Sequence, residues 1–246
     1  HLHVHSEFSL LDGMCKIPDL VRRTQELGMD SIAITDHGAM YGAMDFYMAA
    51  RDAGVKPLIG CEFYVASRSR HDRDRKLDMA SSHLTVLARN ERGYRNLLQL
   101  ATKAQLEGFY YRPRIDRELL AEYGGGLICL SGCESGEVSR SVLDGNPDDA
   151  KTRAAWYTEV FGKENYFIEL QNHGRSHQVE LNRVLADVAR DVGVGVVGTN
   201  DVHYLREEDA YAHEVLLCVG TNSTMEAPDR MTMDGPYHLR GPEEMV

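Results

Sequence analysis

The chain of 246 residues is 43% hydrophobic and 26% charged, a balance that excludes a disordered, collagen-like or low-complexity polymer. Its 27 basic and 38 acidic side chains leave a net charge of −11, which excludes a general nucleic-acid-coating surface, because such a body repels phosphate. No apolar run approaches the roughly 18 residues that a membrane helix needs; those around Leu127–Leu130 and Val192–Val197 are short, with glycine in or beside them.

In chain order, short runs of β character alternate with longer amphipathic ones. His1–His5 reads as the first strand; it is too polar for a secretory signal, and an opening His in place of Met reads as a processed or excised piece. A helix follows near 18–27, with Pro18 in its first turn, Leu20, Val21, Thr24 and Leu27 at helical spacing, and Gly28 at its end. Ser31–Thr35 is the second strand, 40–53 the second helix and Pro57–Ala66 the third strand. An irregular insert, Ser67–Ser82, precedes the fourth strand at His83–Ala88. A helix at 91–106 and strands at Gly126–Leu130, Tyr166–Gln171 and Val194–Thr199 follow, with helices at 147–161, 176–191 and 207–219. Residues 220–246 have little periodicity and read as an extension or a lead-in to a further region.

Seven strand–helix units in a chain of this length favour one parallel, barrel-like α/β domain over residues 1–246. A doubly wound open sheet is the alternative, but no Gly-x-Gly-x-x-Gly follows the first strand. The five cysteines, at 15, 61, 129, 133 and 218, include no Cys-x-x-Cys pair. They read as reduced thiols in a cytosolic setting, without a disulfide framework or a zinc finger.

Metal-ligand residue types recur at the ends of the strands. In His3-Val4-His5 the alternate side chains share a face, so both imidazoles can reach one ion, although the run also resembles tag residues. Asp201-Val202-His203 repeats that spacing at the last strand; read plainly it is an Asn-Asp turn with a surface histidine. In a closed barrel the first and last strands are neighbours, so the two pairs meet. After the second strand, Thr35-Asp36-His37 offers His37 as a ligand and Asp36 as an orienter or helix cap. Glu62, amid Leu58, Ile59 and Phe63, is a charge that burial tolerates only with a partner or a metal. His83 reads as a ligand or a satisfied core histidine, and Asp12 as an inward-reaching carboxylate or an ordinary turn residue.

Cys133 lies beside an expected helix start, where the dipole favours a thiolate and hence a zinc ligand. Cys61 alternates with Glu62 and faces the other way; Cys15, Cys129 and Cys218 are packing residues. Nine ligands (His3, His5, Asp12, His37, Glu62, His83, Cys133, Asp201 and His203) exceed one ion's needs and imply two or three divalent ions with a bridging carboxylate. Clustered ions are a phosphoryl-transfer device, and they let an acidic chain hold a phosphodiester. Manganese, zinc and iron all suit the mixed donor set. No Gly-x-Ser-x-Gly elbow, phosphate-binding loop or His-Glu-x-x-His motif competes.

The His3–Ser6 run, the Asp12-Gly13 turn, Thr35–His37, Glu62, His83, Cys133 and Asn200–His203 resemble the motifs of the PHP (polymerase and histidinol phosphatase) superfamily. The wording of Ala33–Phe46, Lys56–Ala66, Gly108–Asp116 and Thr199–Tyr204 resembles in particular the PHP domains of bacterial DNA polymerase III alpha subunits. That resemblance implies a distorted seven-stranded (β/α)7 barrel with a trinuclear site at one mouth. By it, one ion takes His3, His5 and Asp201, with Glu62 bridging to a second; the second adds His83 and Cys133; the third takes Asp12, His37 and His203.

The implied activity is metal-dependent 3′→5′ exonuclease proofreading of DNA in the bacterial cytoplasm. The implied partners are a DNA 3′ end, the polymerase domains of a longer chain, and replisome subunits, with no membrane. A histidinol-phosphate-type phosphatase and a catalytically silent metal-binding module are the alternatives. Arg112 and Arg114, beside Tyr110 and Tyr111, are candidate DNA contacts by charge and stacking, or else barrel-rim packing. The insert, with five cations against three acids between Ser67 and Asp78, reads as a solvated loop or a further phosphate contact.

Overall fold

A computed structural model describes residues 1–245. Its elements are α1 (Ile17–Glu26), β1 (Ser31–Ile34), α2 (Ala43–Asp52), β2 (Lys56–Ala66) and β3 (Ser81–Ala88). These lead to α3 (Glu91–Leu106), β4 (Arg114–Ile115), α4 (Arg117–Tyr123), β5 (Leu127–Leu130), α5 (Glu137–Leu143) and α6 (Pro147–Phe161). Then come β6 (Tyr166–Gln171), α7 (Ser176–Val192), β7 (Gly195–Thr199) and α8 (Ala210–Gly220). Helix starts follow local chemistry: Asn90, Asp116 and Asn146 each accept a backbone N–H from the first turn of α3, α4 and α6. The α7 helix stops at Gly193, which is left-handed with φ 79°.

The strands form one sheet in the order β1-β2-β3-β5-β6-β7, with β4 paired to β2. The all-parallel expectation is corrected at β3, which runs antiparallel to both β2 and β5. The reason is connectivity: the insert contains no helix, and a chain that returns without a crossover helix must come back antiparallel. Two-residue β4 and the short helix α4 were not among the expected elements, and of α5 only a start near Cys133 was expected; they span too little chain to show a period.

His1–His5 is not a regular strand either. It still closes the gap between the first and last strands. Ala33 and Thr35 donate backbone N–H bonds to the carbonyls of His1 and Val4, and on the other side His5 and Val202 N–H groups bond to Val202 and His3 carbonyls. Apolar packing fixes this frame from two sides. The larger cluster joins β2, β3, β5 and β6 to α3, α6 and α7; the smaller packs Val4 and Val202 against α1, β1 and α2. Asn200 Nδ2 donates to the Pro236 and His238 carbonyls, and His203 and Leu239 N–H groups bond to Tyr237 and Tyr204, so 236–239 straps the loop after β7.

Candidate metal centre

The nine expected ligands come from seven separate segments, and the other seven gather around Glu62 and His5. Register does much of this. His37 forms a bridge to Glu62 in β2, Tyr64 pairs with His83 across β2 and β3, and Val4, between His3 and His5, bridges Val202, between Asp201 and His203. Gly132, at φ 83°, lets the next loop approach the His83 carbonyl more closely than a Cβ would allow, which brings in Cys133.

Glu62 is the centre. Its Oε1 lies 3.2 Å from His3 Nε2, 2.9 Å from His83 Nδ1 and 3.9 Å from Cys133 Sγ, while Oε2 is 2.5 Å from His37 Nδ1 and 3.9 Å from His5 Nε2. Asp201 Oδ1 sits 3.2 Å from His3 Nε2 and 3.1 Å from His5 Nε2. Asp12 completes the set at 3.2 Å from His37 Nε2. His203 turns its Nδ1 to the Asp201 carbonyl at 2.7 Å, and its ring lies 4.3 Å from that of His5.

Three trios bring their donor atoms within 4.8 Å of one another: His3/His5/Asp201, His37/Glu62/His83 and His5/His37/His203. The first is the trio that the resemblance implies. In the other two, His37 stands beside Glu62 and His5, and Cys133 approaches through His83 at 3.6 Å.

The electrostatics are those of buried carboxylates with cations around them. Burial opposes charge on Glu62, but His83, His37 and His3 outweigh it and hold the carboxyl well below its ordinary range. Asp201 and Asp12 are lowered in the same way, chiefly by His3 and His203 and by His37. His3 and His37 are raised well above their usual values by these anions despite their burial. His5 is pushed down to about 3 by burial and by the neighbouring His37 and His203. At Cys133, burial first, then Glu62 and Asp201, push the thiol up.

Several of these close approaches are not hydrogen bonds. Buried His3 Nε2, His37 Nδ1, Glu62 Oε2 and Asp12 Oδ1 have no hydrogen-bond partner, so their lone pairs and protons converge on shared space. Divalent cations fit this arrangement. They would displace the protons on His3 and His37 and favour the Cys133 thiolate.

Outside the expected nine, a supporting set fixes the rings. Glu169, buried in β6, lies 2.7 Å from His3 Nδ1 and also accepts from Thr199 and from Gln171 Nε2. It was legible by the argument used for Glu62, an acid inside an apolar strand. Asp36 is an orienter, not a helix cap: its carboxylate accepts from Ser6 N–H, Ser6 Oγ and Ser9 Oγ, each at 2.7 Å, and Ser9 Oγ lies 3.1 Å from His5 Nδ1. Cys61 points away, its Sγ 3.3 Å from the Asp36 carbonyl, and Cys15, Cys129 and Cys218 are buried.

Arg114 is a correction. It is fully buried, and its guanidinium donates to the carbonyls of Gly108, Asp78, Arg70 and Asp72, so it ties down the insert and has no donor turned to a DNA strand. Arg70 of the insert is likewise spent on Asp116, Glu107 and Glu118. Arg112 is exposed and lines the cleft above the cluster, its guanidinium 5.6 Å from the Tyr64 ring centroid.

Residues 1–173 match the family model described as the PHP domain. The chain belongs to the PHP domain family. Over its whole length it is 47% identical to DNA polymerase III subunit alpha of Thermus aquaticus, 44% to that of Treponema pallidum and 43% to that of Borreliella burgdorferi. The chain spans about a fifth of the length of these relatives, 20–21%. Among solved structures, an amidohydrolase from Chromobacterium violaceum aligns over 82% of this PHP domain and 86% of its own chain at 15% identity, with a TM-score of 0.48, a loose likeness. No helix of the described residues is long and apolar enough to cross a membrane.

Proposed function

We propose that this PHP domain is a metal-dependent phosphodiesterase acting as a 3′→5′ exonuclease on DNA, within a bacterial replicative polymerase whose other domains and replisome subunits are its cytoplasmic partners. Residues 1–246 form one unit in this reading, because the C-terminal strap completes the loop that carries Asp201 and His203. The observation that carries it is the convergence of Asp12, His37, Glu62, His83, Cys133, Asp201 and His203 on one open cleft, with His3 and His5 buried beneath them and buried donor atoms left unpaired.

Two or three divalent ions (zinc, manganese or iron) held by those residues would supply charge for phosphate oxygens and a water made acidic enough to attack phosphorus. The chain's own residues do the rest. Glu169 holds His3 with its Nε2 toward Glu62 and Asp201, and Asp36 holds His5 through Ser9. Glu62 joins the two halves of the cluster. The cleft, about 530 Å³ and open to solvent, admits a strand end.

The test is a labelled single strand incubated with the purified chain and manganese or zinc. The expected result is stepwise shortening from the 3′ end, lost in His5→Ala and Asp201→Asn. Intact strands with metal-loaded wild type would overturn the exonuclease reading. Hydrolysis of histidinol phosphate without attack on DNA would assign the cleft to a phosphomonoester instead.

A further inference from the structure

The cluster accounts for the floor of the cleft but not for its walls. Among the described residues lining it, the only lysine or arginine side chains are Arg112 and Arg175. They come from different loops, Arg112 before β4 and Arg175 between β6 and α7. In a chain of net charge −11, two cations facing one cleft are not background.

Neither is idle in position. Arg175 donates to the Tyr237 hydroxyl at 2.5 Å and lies 3.6 Å from Glu134, while its buried Nε has no partner. Arg112 follows Tyr111, whose φ of 59° places a bulky side chain in the left-handed region, a strain that persists only where surrounding structure imposes it. What imposes it is the turn itself. Tyr110 N–H bonds to the Arg112 carbonyl, and buried Arg114 lies 5.3 Å from the Tyr110 ring centroid while donating to the Gly108 carbonyl. The strained turn thus presents Tyr111 and Arg112 side by side on the cleft wall. The same cleft is also lined by Met79, Met231 and Met233, soft apolar side chains suited to covering a flat ring.

We propose that Arg112 and Arg175 hold the phosphates flanking the scissile one, with Tyr111 as a stacking platform, so that the cleft selects an oligonucleotide over an isolated phosphate ester. This rests on the phosphodiesterase reading and names the residues that hold its strand. A single phosphate seated on the cluster would leave Arg112 without an acidic partner among the described residues and Arg175 with Glu134, at 3.6 Å, as its nearest acid. A strand carries further phosphates and bases to meet both arginines and the tyrosine.

Binding of a short fluorescein-labelled oligothymidylate is measured by anisotropy across a salt series, so the readout does not depend on turnover. Arg112→Gln and Arg175→Gln should each weaken binding about tenfold and reduce the log–log salt slope by roughly 0.7. Tyr111→Ala should weaken binding with the slope retained, and Arg175→Lys should keep most of the slope. The ratio of oligonucleotide to bis(p-nitrophenyl) phosphate hydrolysis should fall about tenfold in both Gln variants. A merely structural arginine would lower melting temperature and both hydrolysis rates together, with the slope unchanged. That result, or wild type that does not bind the oligonucleotide, overturns the proposal. Salt-dependent binding without hydrolysis of either ester would retain the arginine assignment while removing the phosphodiesterase reading.

Discussion

Two buried charged centres lie in this domain, and they are built on opposite rules. Around Arg70 and Arg114 the charges are answered: Arg70 meets Asp116, Glu107 and Glu118, and Arg114 meets four backbone carbonyls. Around Glu62 the charges crowd within hydrogen-bond range, yet four buried polar atoms have no partner. The first arrangement is what a fold needs to bury a cation. The second leaves donor atoms available to something else. Satisfied charge holds the insert in place, whereas at the cluster four unpaired buried atoms stand together.

The largest expected effect breaks the second centre. Glu62→Gln removes the carboxylate shared by His3, His37 and His83. Bound metal by elemental analysis should fall, and diester hydrolysis should drop by more than the roughly 100-fold typical of a supporting residue. Chelation should lower the wild-type melting temperature and leave that of Glu62→Gln nearly unmoved; equal shifts in both would contradict the assignment.

Next, Asp116→Ala strips Arg70 of its buried partner and α4 of its cap. Arg70 keeps Glu107 and Glu118, so a loss of about 2–4 kcal/mol is expected from the charged hydrogen bond and the cap together, read as a calorimetric shift of roughly 2–4 °C per kcal/mol. Metal content per folded molecule should not change. A variant that lost metal but not stability would invert the comparison.

Glu169→Gln tests whether support and ligation are separable. Its buried carboxylate touches His3 at the nitrogen turned away from the cluster. Activity should drop about 10–100-fold with most of the metal retained, and metal loss equal to that of Glu62→Gln would make Glu169 a ligand in its own right.

The smallest effect is a pH dependence at the edge of the site. His213, bonded to the Asp12 carbonyl at 2.8 Å, is pushed down to about 4 by burial and by His203. Its unfolded value is near 6.5. Between those values the unfolded chain binds the extra proton, so stability falls as pH drops through that window. His213→Gln should flatten this part of the stability–pH curve; an unaltered slope would exclude His213 as its source.

Much of this was written in local pattern. Period-3.6 runs with proline and glycine at their ends located the long helices, because caps and amphipathic faces are short-range properties. His-x-His, Asp-x-His and an acid inside an apolar strand nominated ligands for the same reason: alternation places i and i+2 on one face. Other features depended on distant partners. Whether β3 ran parallel or antiparallel depended on what its insert lacked. Arg112 and Arg114, two residues apart and alike in sequence, separated into a cleft wall and a buried anchor only once the insert's carbonyls closed over Arg114. The raised Cys133 thiol and the pairing of His37 with Glu62 likewise follow from charges brought together through space, which local sequence does not encode.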